Sequence, residues 1–422
     1  MRCIGLDIHR DFCEVAIAEE GRVRSAGRIG ADPASLAAFG ATLRRDDVVT
    51  LEAIGNALAM ARILEPHARV VLANPKAVRG LTVGRAKTDK IDARALASLL
   101  AGGFLPTVWT ADEPTAALRR QVTRRAGLVR ERTRSKNQIH AALVRNLTPR
   151  QPMSDLFGRG GLTWLAAQEL PLDEREAVDA SLRQIAFLDA EIATLDRALA
   201  GAVLASADMQ RLFTLPGVNA VTAATLVAAV GDVARFPTPR HLVSYLGLNP
   251  TVRQSGNEKA RHGRISKQGA PLARHVLVEA AWHAARTPGP LRAFWQRVAA
   301  KRGGNIATVA VARKLTVIAW HLLSDDEEYA FARPSLVREK LRRLELLVGA
   351  ERRTGQRGAV RVFGSREQHR REQQLAIQAE SAYRRLMADW QPKRARAPQR
   401  GAHRSDATAS AARQASAPDP AL

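Results

Sequence analysis

Cysteine is nearly missing: the 422-residue chain has two, Cys3 and Cys13. No CxxC pair and no Cys/His spacing of the zinc-binding kind occurs, which excludes disulfide scaffolds, structural zinc and dithiol redox chemistry. Two isolated thiols fit a reducing compartment. Aromatic residues make up 5% of the chain, so Ala, Leu and Val carry burial within the 46% apolar share. No GxxxxGK stretch is present, which argues against P-loop nucleotide chemistry. The longest apolar run, Ala220 to Val230, is too short and too Thr-interrupted to cross a bilayer. The N-terminus opens on a charged strand and not on a leader. The expectation is a cytoplasmic, nucleoid-associated protein with no membrane partner. Acid is the scarce charge: 41 Asp and Glu stand against 65 Lys and Arg, a formal net charge of +24. That imbalance favours a polyanionic partner, because Lys and Arg displace counterions from phosphates.

Against this deficit, four acids fall in informative places. Asp7 ends the apolar run Cys3-Ile4-Gly5-Leu6, and Glu52 ends Val48-Val49-Thr50-Leu51. Asp89 and Asp92 lie three apart in Lys87-Thr88-Asp89-Lys90-Ile91-Asp92-Ala93-Arg94. Each alone has a bland role: a turn, an exposed strand end, a helix cap, a first-turn acid favoured by the helix dipole. Together they are expected to converge. Asp89 and Asp92 share one helix face, and strand ends in an open α/β sheet gather at the ligand side. Carboxylates held that close require a cation, and hard oxygen donors suit Mg²⁺ acting on a phosphodiester. Lys87 and Arg94 flank the cluster as phosphate contacts.

Alternation and turn signals predict strands over 2–8, 12–18 and 22–29, a helix over 33–44, a strand over 48–52 and a helix over 56–65. A strand over 69–73 and a helix over 88–100 follow. Three meander strands followed by βαβ crossovers is the order of a ribonuclease-H-like fold. Residues 114–147 predict a long basic helix carrying Arg119, Arg120, Arg124 and Arg125 among its nine cations, against the single acid Glu131. A second long helix is expected over 173–202, with Ile185, Leu188, Ile192, Leu195 and Leu199 in heptad spacing. The pair is expected to form an antiparallel coiled-coil arm, or to pair one helix with its copy in another subunit. Residues 211–325 read as a mainly helical domain, and the tail from about Ala388 as disordered. The division expected is 1–110 catalytic, 111–207 arm, 208–330 C-terminal domain and 331–422 basic helical and disordered tail.

Two further segments carry chemistry. Leu215-Pro216-Gly217-Val218-Asn219 resembles a helix-hairpin-helix turn, in which backbone N–H groups around Gly217 grip phosphate without reading bases. Asn219 stands where that motif has a second glycine, and Asn tolerates a left-handed backbone. Pro250 to Gly269 reads as a polar loop rich in Arg, Lys and Gly, with Arg253, Lys259 and Lys267 as phosphate contacts and two serines, Ser255 and Ser266. A serine in such a loop is by itself a turn residue.

Taken in order, Gly5-Leu6-Asp7, Leu51-Glu52-Ala53, the Lys-Thr-Asp-x-x-Asp-Ala block, Leu215-Pro216-Gly217-Val218, Leu246-Gly247-Leu248 with Ser255-Gly256, and Ile265-Ser266-Lys267-Gln268-Gly269 resemble the DEDD-type insertion-sequence transposases guided by a bridge RNA. The resemblance spans residues 1–325. It implies a resolvase-like ribonuclease-H domain whose four acids, here Asp7, Glu52, Asp89 and Asp92, bind Mg²⁺. It also implies a serine, here Ser255 with Ser266 as fallback, that forms a covalent phosphoserine link to DNA. Donor and target DNA, a noncoding guide RNA and a homo-oligomer (dimer or tetramer) are the implied partners, with sequence choice delegated to base pairing. The rival reading is a metal-dependent nuclease or junction resolvase using water. An architectural nucleic-acid binder and a ribonuclease-H-fold ATPase are more distant rivals.

Overall fold

The computed structural model describes residues 1–81, 88–256, 258–352 and 364–389. They form two compact units, one from residues 1–131 with 227–231 and the other from the remainder. Lys87 and the tail beyond residue 389 lie outside the described residues.

The first unit opens with strands β1 (Cys3–Ile8), β2 (Phe12–Glu19) and β3 (Arg22–Gly30). Helix α1 (Pro33–Ala41), strand β4 (Val48–Glu52), helix α2 (Ala57–Leu64) and strand β5 (Arg69–Ala73) follow. Helices α3 (Pro75–Leu81) and α4 (Asp89–Ala101), strand β6 (Thr107–Val108) and the long helix α5 (Glu113–Arg145) complete the series. The sheet order is β3-β2-β1-β4-β5-β6. β1 is antiparallel to β2 and parallel to β4, and β4 is parallel to β5. A mixed α/β sheet of this order fits the expected ribonuclease-H-like class. Sequence reading gives no α3 and no β6: α3 is one short turn pair, and β6 has only two residues, below the length at which alternation registers.

Period-2 alternation sorts β1 into two faces. Ile4, Leu6 and Ile8 pack with Leu36, Met60 and Leu64 beneath α1 and α2. Cys3 packs with Ala16, Ala18, Ala93 and Ala97 on the other side, against α4. The buried residues there are small, with Leu100 packed at the side, so helix and sheet approach closely. A Cβ on Gly5 would lie 2.3 Å from the Ala93 carbonyl oxygen and 2.7 Å from the Ala97 nitrogen. Gly5→Ala therefore drives a methyl into backbone and is expected to destabilise this unit by about 3 kcal/mol. Gly127→Ala, in α5 with nothing within 4 Å of the added Cβ, is the control of opposite sign, stabilising by roughly 0.5 kcal/mol or more. Urea unfolding of the two variants reads this out, and equal midpoints would contradict the packing argument.

In the second unit, α5 runs on beside α6 (Arg159–Ala166) and α7 (Leu172–Ala205). Arg132 bonds Asp189 at 2.6 Å, Ser135 bonds Gln184 at 2.8 Å, and Arg145 makes a two-pronged contact with Glu174 at 2.8 and 2.9 Å. Partners descend along α7 as positions rise along α5, so the two helices are antiparallel within one chain. Ile139, Ala142 and Leu143 meet Leu165, Val178 and Ile185 between them. The heptad residues Ile185, Leu188, Ile192, Leu195 and Leu199 are all buried.

Helices α8 (Ala207–Phe213) and α9 (Ala220–Val230), a 3₁₀ turn (Val233–Arg235) and α10 (Pro239–Tyr245) follow, then strands β7 (Pro250–Arg253) and β8 (Arg261–Ile265). Helices α11 (Pro271–Arg286), α12 (Pro290–Arg302), α13 (Gly304–Ser324), α14 (Pro334–Leu347) and α15 (Arg366–Asp389) close the unit. By length and composition alone, α13 is apolar enough to cross a membrane, longer than the 220–230 run that sequence reading singles out. Half of it is buried, and it packs against α10, α11 and α12 as a core helix. α15 supplies carboxylates to two helix starts. Glu380 accepts from the Gly289 N–H just ahead of α12 and from Arg292 in its first turn, and Glu372 accepts from the Ser335 N–H in the first turn of α14. Anions placed there answer the unpaired N–H groups of each helix end.

Candidate catalytic site

The same alternation that points Gly5 at α4 points Asp7 and His9 to that face. α4 begins where the β1–β4 strand ends lie, because Thr88 caps it, its Oγ accepting from the Ile91 N–H at 3.4 Å. The cap is thus Thr88 and not Asp89, leaving Asp89 and Asp92 in the first turn. His9 Nε2 lies 3.2 Å from Asp7 Oδ2 and 3.4 Å from Asp89 Oδ1. One donor atom from each of Asp7, His9 and Asp89 falls within 4.8 Å of the others, the one such group among the described residues. Burial pushes the Asp7 carboxyl above the usual range; His9 opposes this, while the negative charges of Asp92 and Asp89 add to it. Asp92 is therefore close enough to be felt at Asp7. Glu52 and Asp92 fall outside the group of Asp7, His9 and Asp89: Glu52 ends β4 one residue beyond the last β1–β4 pair, Leu6 with Leu51, as Asp7 does on β1, and Asp92 lies one turn into α4. A partly buried carboxylate surrounded by like charge, with an imidazole in reach, is a donor set that fits a divalent cation.

Sequence reading missed His9 and Arg28. Arg28 pairs with the fully buried Glu14 at 2.8 Å, reaches Asp89 at 3.7 Å and lies over the Phe12 ring at 4.2 Å. The available signal for His9 was its place two residues beyond Asp7. The signal for Arg28 required knowing the β2–β3 register, which pairs it with Glu14.

The expected cationic contacts sort by environment. Arg119 donates to the Ala228 and Ala229 carbonyls at 2.6 and 3.2 Å and lies over Trp109, so its fork closes the end of α9. Arg120 is exposed and bonded to Glu113. Arg124 is exposed and Arg125 half-buried.

Around the Pro-Gly turn, Gly217 takes φ +80° and presses on α11, where a Cβ would come 2.4 Å from the Ala280 carbonyl oxygen. Asn219 is not left-handed, contrary to the sequence expectation. Its Oδ1 accepts from the Thr222 N–H at 2.9 Å and caps α9 instead. Behind the turn, Lys340 of α14 donates from Nζ to the carbonyls of Phe213, Leu215 and Val218 at 2.8, 3.4 and 2.9 Å. Burial pushes this ammonium from the usual 10.5 down to about 8. Between those values the unfolded chain holds a proton that the folded chain does not. The burial cost is present below pH 8 and relieved as pH rises towards 10.5, so this group adds stability with rising pH. The stability difference between the wild type and Lys340→Met is expected to shift in favour of the wild type between pH 7.5 and 10. A difference that stays flat across urea melts in that range would contradict the assignment.

The segment expected as a polar loop is a β-hairpin. Val252 pairs with His262 and Arg253 with Arg261, and the charged residues hid its alternation. Ser255 sits exposed beyond the end of β7, followed by Gly256 at φ +52°. Arg253, Lys259 and Lys267 are exposed on the same segment. Ser266 is half-buried at the base, its N–H bonded to Asn249. There the Leu-Gly-Leu and Ser-Lys-Gln-Gly motifs hold each other by backbone. The Lys267 N–H donates to the Gly247 carbonyl, and a Cβ on Gly247 or Gly269 would come within 2.0 Å of Gln268 O or 1.8 Å of Tyr245 O respectively. Arg274 closes the corner with a 2.9 Å bond to the Leu246 carbonyl.

Comparison with known proteins agrees with this architecture. Residues 4–147 match a transposase model of the DEDD IS110 type, and residues 209–296 match the model "Transposase IS116/IS110/IS902 family". A putative transposase of Sinorhizobium fredii is 31% identical over 287 residues, covering 66% of this chain and 70% of the relative. A probable family 20 transposase of Pseudomonas aeruginosa is 29% identical over 67% of this chain and 85% of its own length. The transposase for insertion sequence element IS1111A of Coxiella burnetii is 28% identical over 78% of this chain and 91% of its own length. The sheet, the acids beside α4 and these matches over both units establish that the chain belongs to the IS116/IS110/IS902 family, the DNA transposases of insertion sequences.

Proposed function

We propose that this transposase cleaves and rejoins DNA through a covalent serine link, with Asp7, Glu52, Asp89 and Asp92 holding Mg²⁺ and Ser255 as nucleophile. The observation that carries the reading is the meeting of Asp7 and Asp89 around one point, with the charge of Asp92 felt at Asp7. A bound divalent cation supplies charge neutralisation at the scissile phosphate and at the leaving oxygen. The chain's own residues do the rest. The Ser255 oxygen attacks phosphorus, its proton leaves, and the bond from phosphorus to the sugar oxygen breaks, giving a protein–DNA phosphodiester and a free hydroxyl. After strand exchange that hydroxyl reverses the attack on a new partner. The bond energy is conserved in the serine ester, so no nucleotide hydrolysis is needed.

Exposure of Ser255 at the hairpin, against the half-buried Ser266 whose N–H serves the hairpin base, favours Ser255. Arg253, Lys259 and Lys267 on the same segment, with Arg120, Arg124 and Arg125 on α5 and the Gly217 turn, are the proposed phosphate contacts; Lys87 and Arg119 complete that set. Arg119's engagement with α9 leaves it the smallest share. A guide RNA selects donor and target by pairing, the helical arm of α5 and α7 serves as a coiled-coil arm for RNA contact or subunit pairing, and the working form is a homo-oligomer at the nucleoid. The functional modules follow residues 1–110, 111–207, 208–330 and 331–422. The test is denaturing electrophoresis of protein incubated with element-end DNA and its co-purified RNA. An SDS-stable adduct that Ser255→Ala abolishes supports the reading, whereas cleavage without any adduct favours a water-using resolvase.

A further inference from the structure

We infer that His9 is a nitrogen ligand of the cation shared by Asp7 and Asp89, and that it tilts this centre towards Mn²⁺ over Mg²⁺. The inference rests on the metal site proposed above and concerns a residue outside its four acids.

His9 Nε2 points between the two carboxylates, 3.2 Å from Asp7 Oδ2 and 3.4 Å from Asp89 Oδ1. Donors on a six-coordinate ion at about 2.1 Å stand roughly 3 Å apart at right angles. Without an ion these are hydrogen-bond contacts of the ring, and a cation would take the place of the Nε2 proton; the same separations are close to those of neighbouring corners of such a shell.

Three features hold the imidazole in place. The His9 backbone N–H donates to the Phe12 carbonyl at 2.9 Å, closing the tight β1–β2 turn that sets the ring's direction. The ring stacks on Phe12 with centroids 4.7 Å apart and planes 28° from parallel. Phe12 in turn carries Arg28, whose other contacts are the buried Glu14 and Asp89. A ring fixed by a turn, a stack and two carboxylates has little rotamer freedom left to lose on coordination. A solvated counter-ion requires none of this support.

The chemical consequence follows from donor type. Carboxylate and water oxygens satisfy Mg²⁺, which gains little from imidazole. Mn²⁺ stands lowest of the first-row divalent ions in affinity for nitrogen donors, yet as a transition ion it binds imidazole more strongly than the harder Mg²⁺. His9 therefore adds affinity selectively for Mn²⁺, while the acids serve both ions.

The experiment uses the full chain loaded with Mn²⁺ alone and read by pulsed EPR, with Mn²⁺ and Mg²⁺ affinities measured by calorimetry. Expected are ¹⁴N modulations from one imidazole in the wild type, absent in His9→Ala, and a loss of Mn²⁺ affinity of roughly tenfold or more with Mg²⁺ affinity changed far less. His9→Asn keeps a polar side chain of similar reach and gives the same loss of ¹⁴N signal, which guards against a folding defect in the alanine variant. Asp7→Asn weakens both ions. Mn²⁺ bound in an Asp7-dependent manner without ¹⁴N modulation, or with modulation that survives both His9 variants, overturns the role of His9 and leaves the acid site standing. No Asp7-dependent Mn²⁺ binding at all overturns both.

Discussion

Replacing Asp7 by asparagine is expected to lower DNA strand cleavage by about 10³-fold or more while leaving the protein as stable as before, or slightly more so. The two effects have separate causes. Asparagine keeps the shape but gives up a charged donor to the cation, and loss of several kcal/mol of transition-state charge stabilisation corresponds to a rate loss of about that size. Stability responds differently because burial and the nearby Asp92 and Asp89 already push the Asp7 carboxyl above its usual range. The folded state thus resists the charge, and a neutral isostere removes that resistance. Parallel measurement of cleavage rate and thermal midpoint checks both halves. Full cleavage by Asp7→Asn would remove the metal site from the mechanism. A midpoint that falls steeply would mean that the acid serves the fold.

Ser255→Ala has the second large effect. It is expected to remove the SDS-stable adduct and all recombination, at least about 10⁴-fold, as loss of an obligatory nucleophile does. Metal affinity should not change. Ser266→Ala should retain adduct formation, because what Ser266 supplies to the hairpin base is a backbone N–H bonded to Asn249, which alanine also has. Quantifying adduct and recombinant product for the two variants in one assay separates nucleophile from scaffold. Adduct in Ser255→Ala, or its loss only in Ser266→Ala, would reverse the assignment.

Much of the first unit was legible because its physics is local. β4 and β5 coincide with the expected 48–52 and 69–73, since short apolar runs bounded by charge and turn residues leave little choice. The acids were legible as candidates for the same reason: Asp7 and Glu52 terminate such runs, and Asp89 and Asp92 share a helix face. What escaped depends on partners distant in sequence. Arg119 is one of many arginines until its contacts with Ala228 and Ala229 are known. Lys340 looks like a surface lysine in a basic helix, yet it holds carbonyls more than a hundred residues earlier. The β7–β8 hairpin escapes because β7 is four mostly exposed residues and β8 places Arg261 and Arg264 on opposite faces, which erases alternation. Asn219 differs in detail: its polar side chain suits either a left-handed turn or an N-cap, and with Gly217 in the left-handed position it takes the cap.

The most direct measurement is identification of the residue carrying DNA after reaction. Full-length protein with its co-purified RNA and element-end DNA is incubated in Mg²⁺, denatured and digested, and the nucleotide-bearing peptide is mapped by mass spectrometry. The account predicts a single modified residue, Ser255, formed only with divalent metal and absent in Asp7→Asn. Cleaved DNA with no attached peptide, or a nucleotide on any other residue, would contradict it.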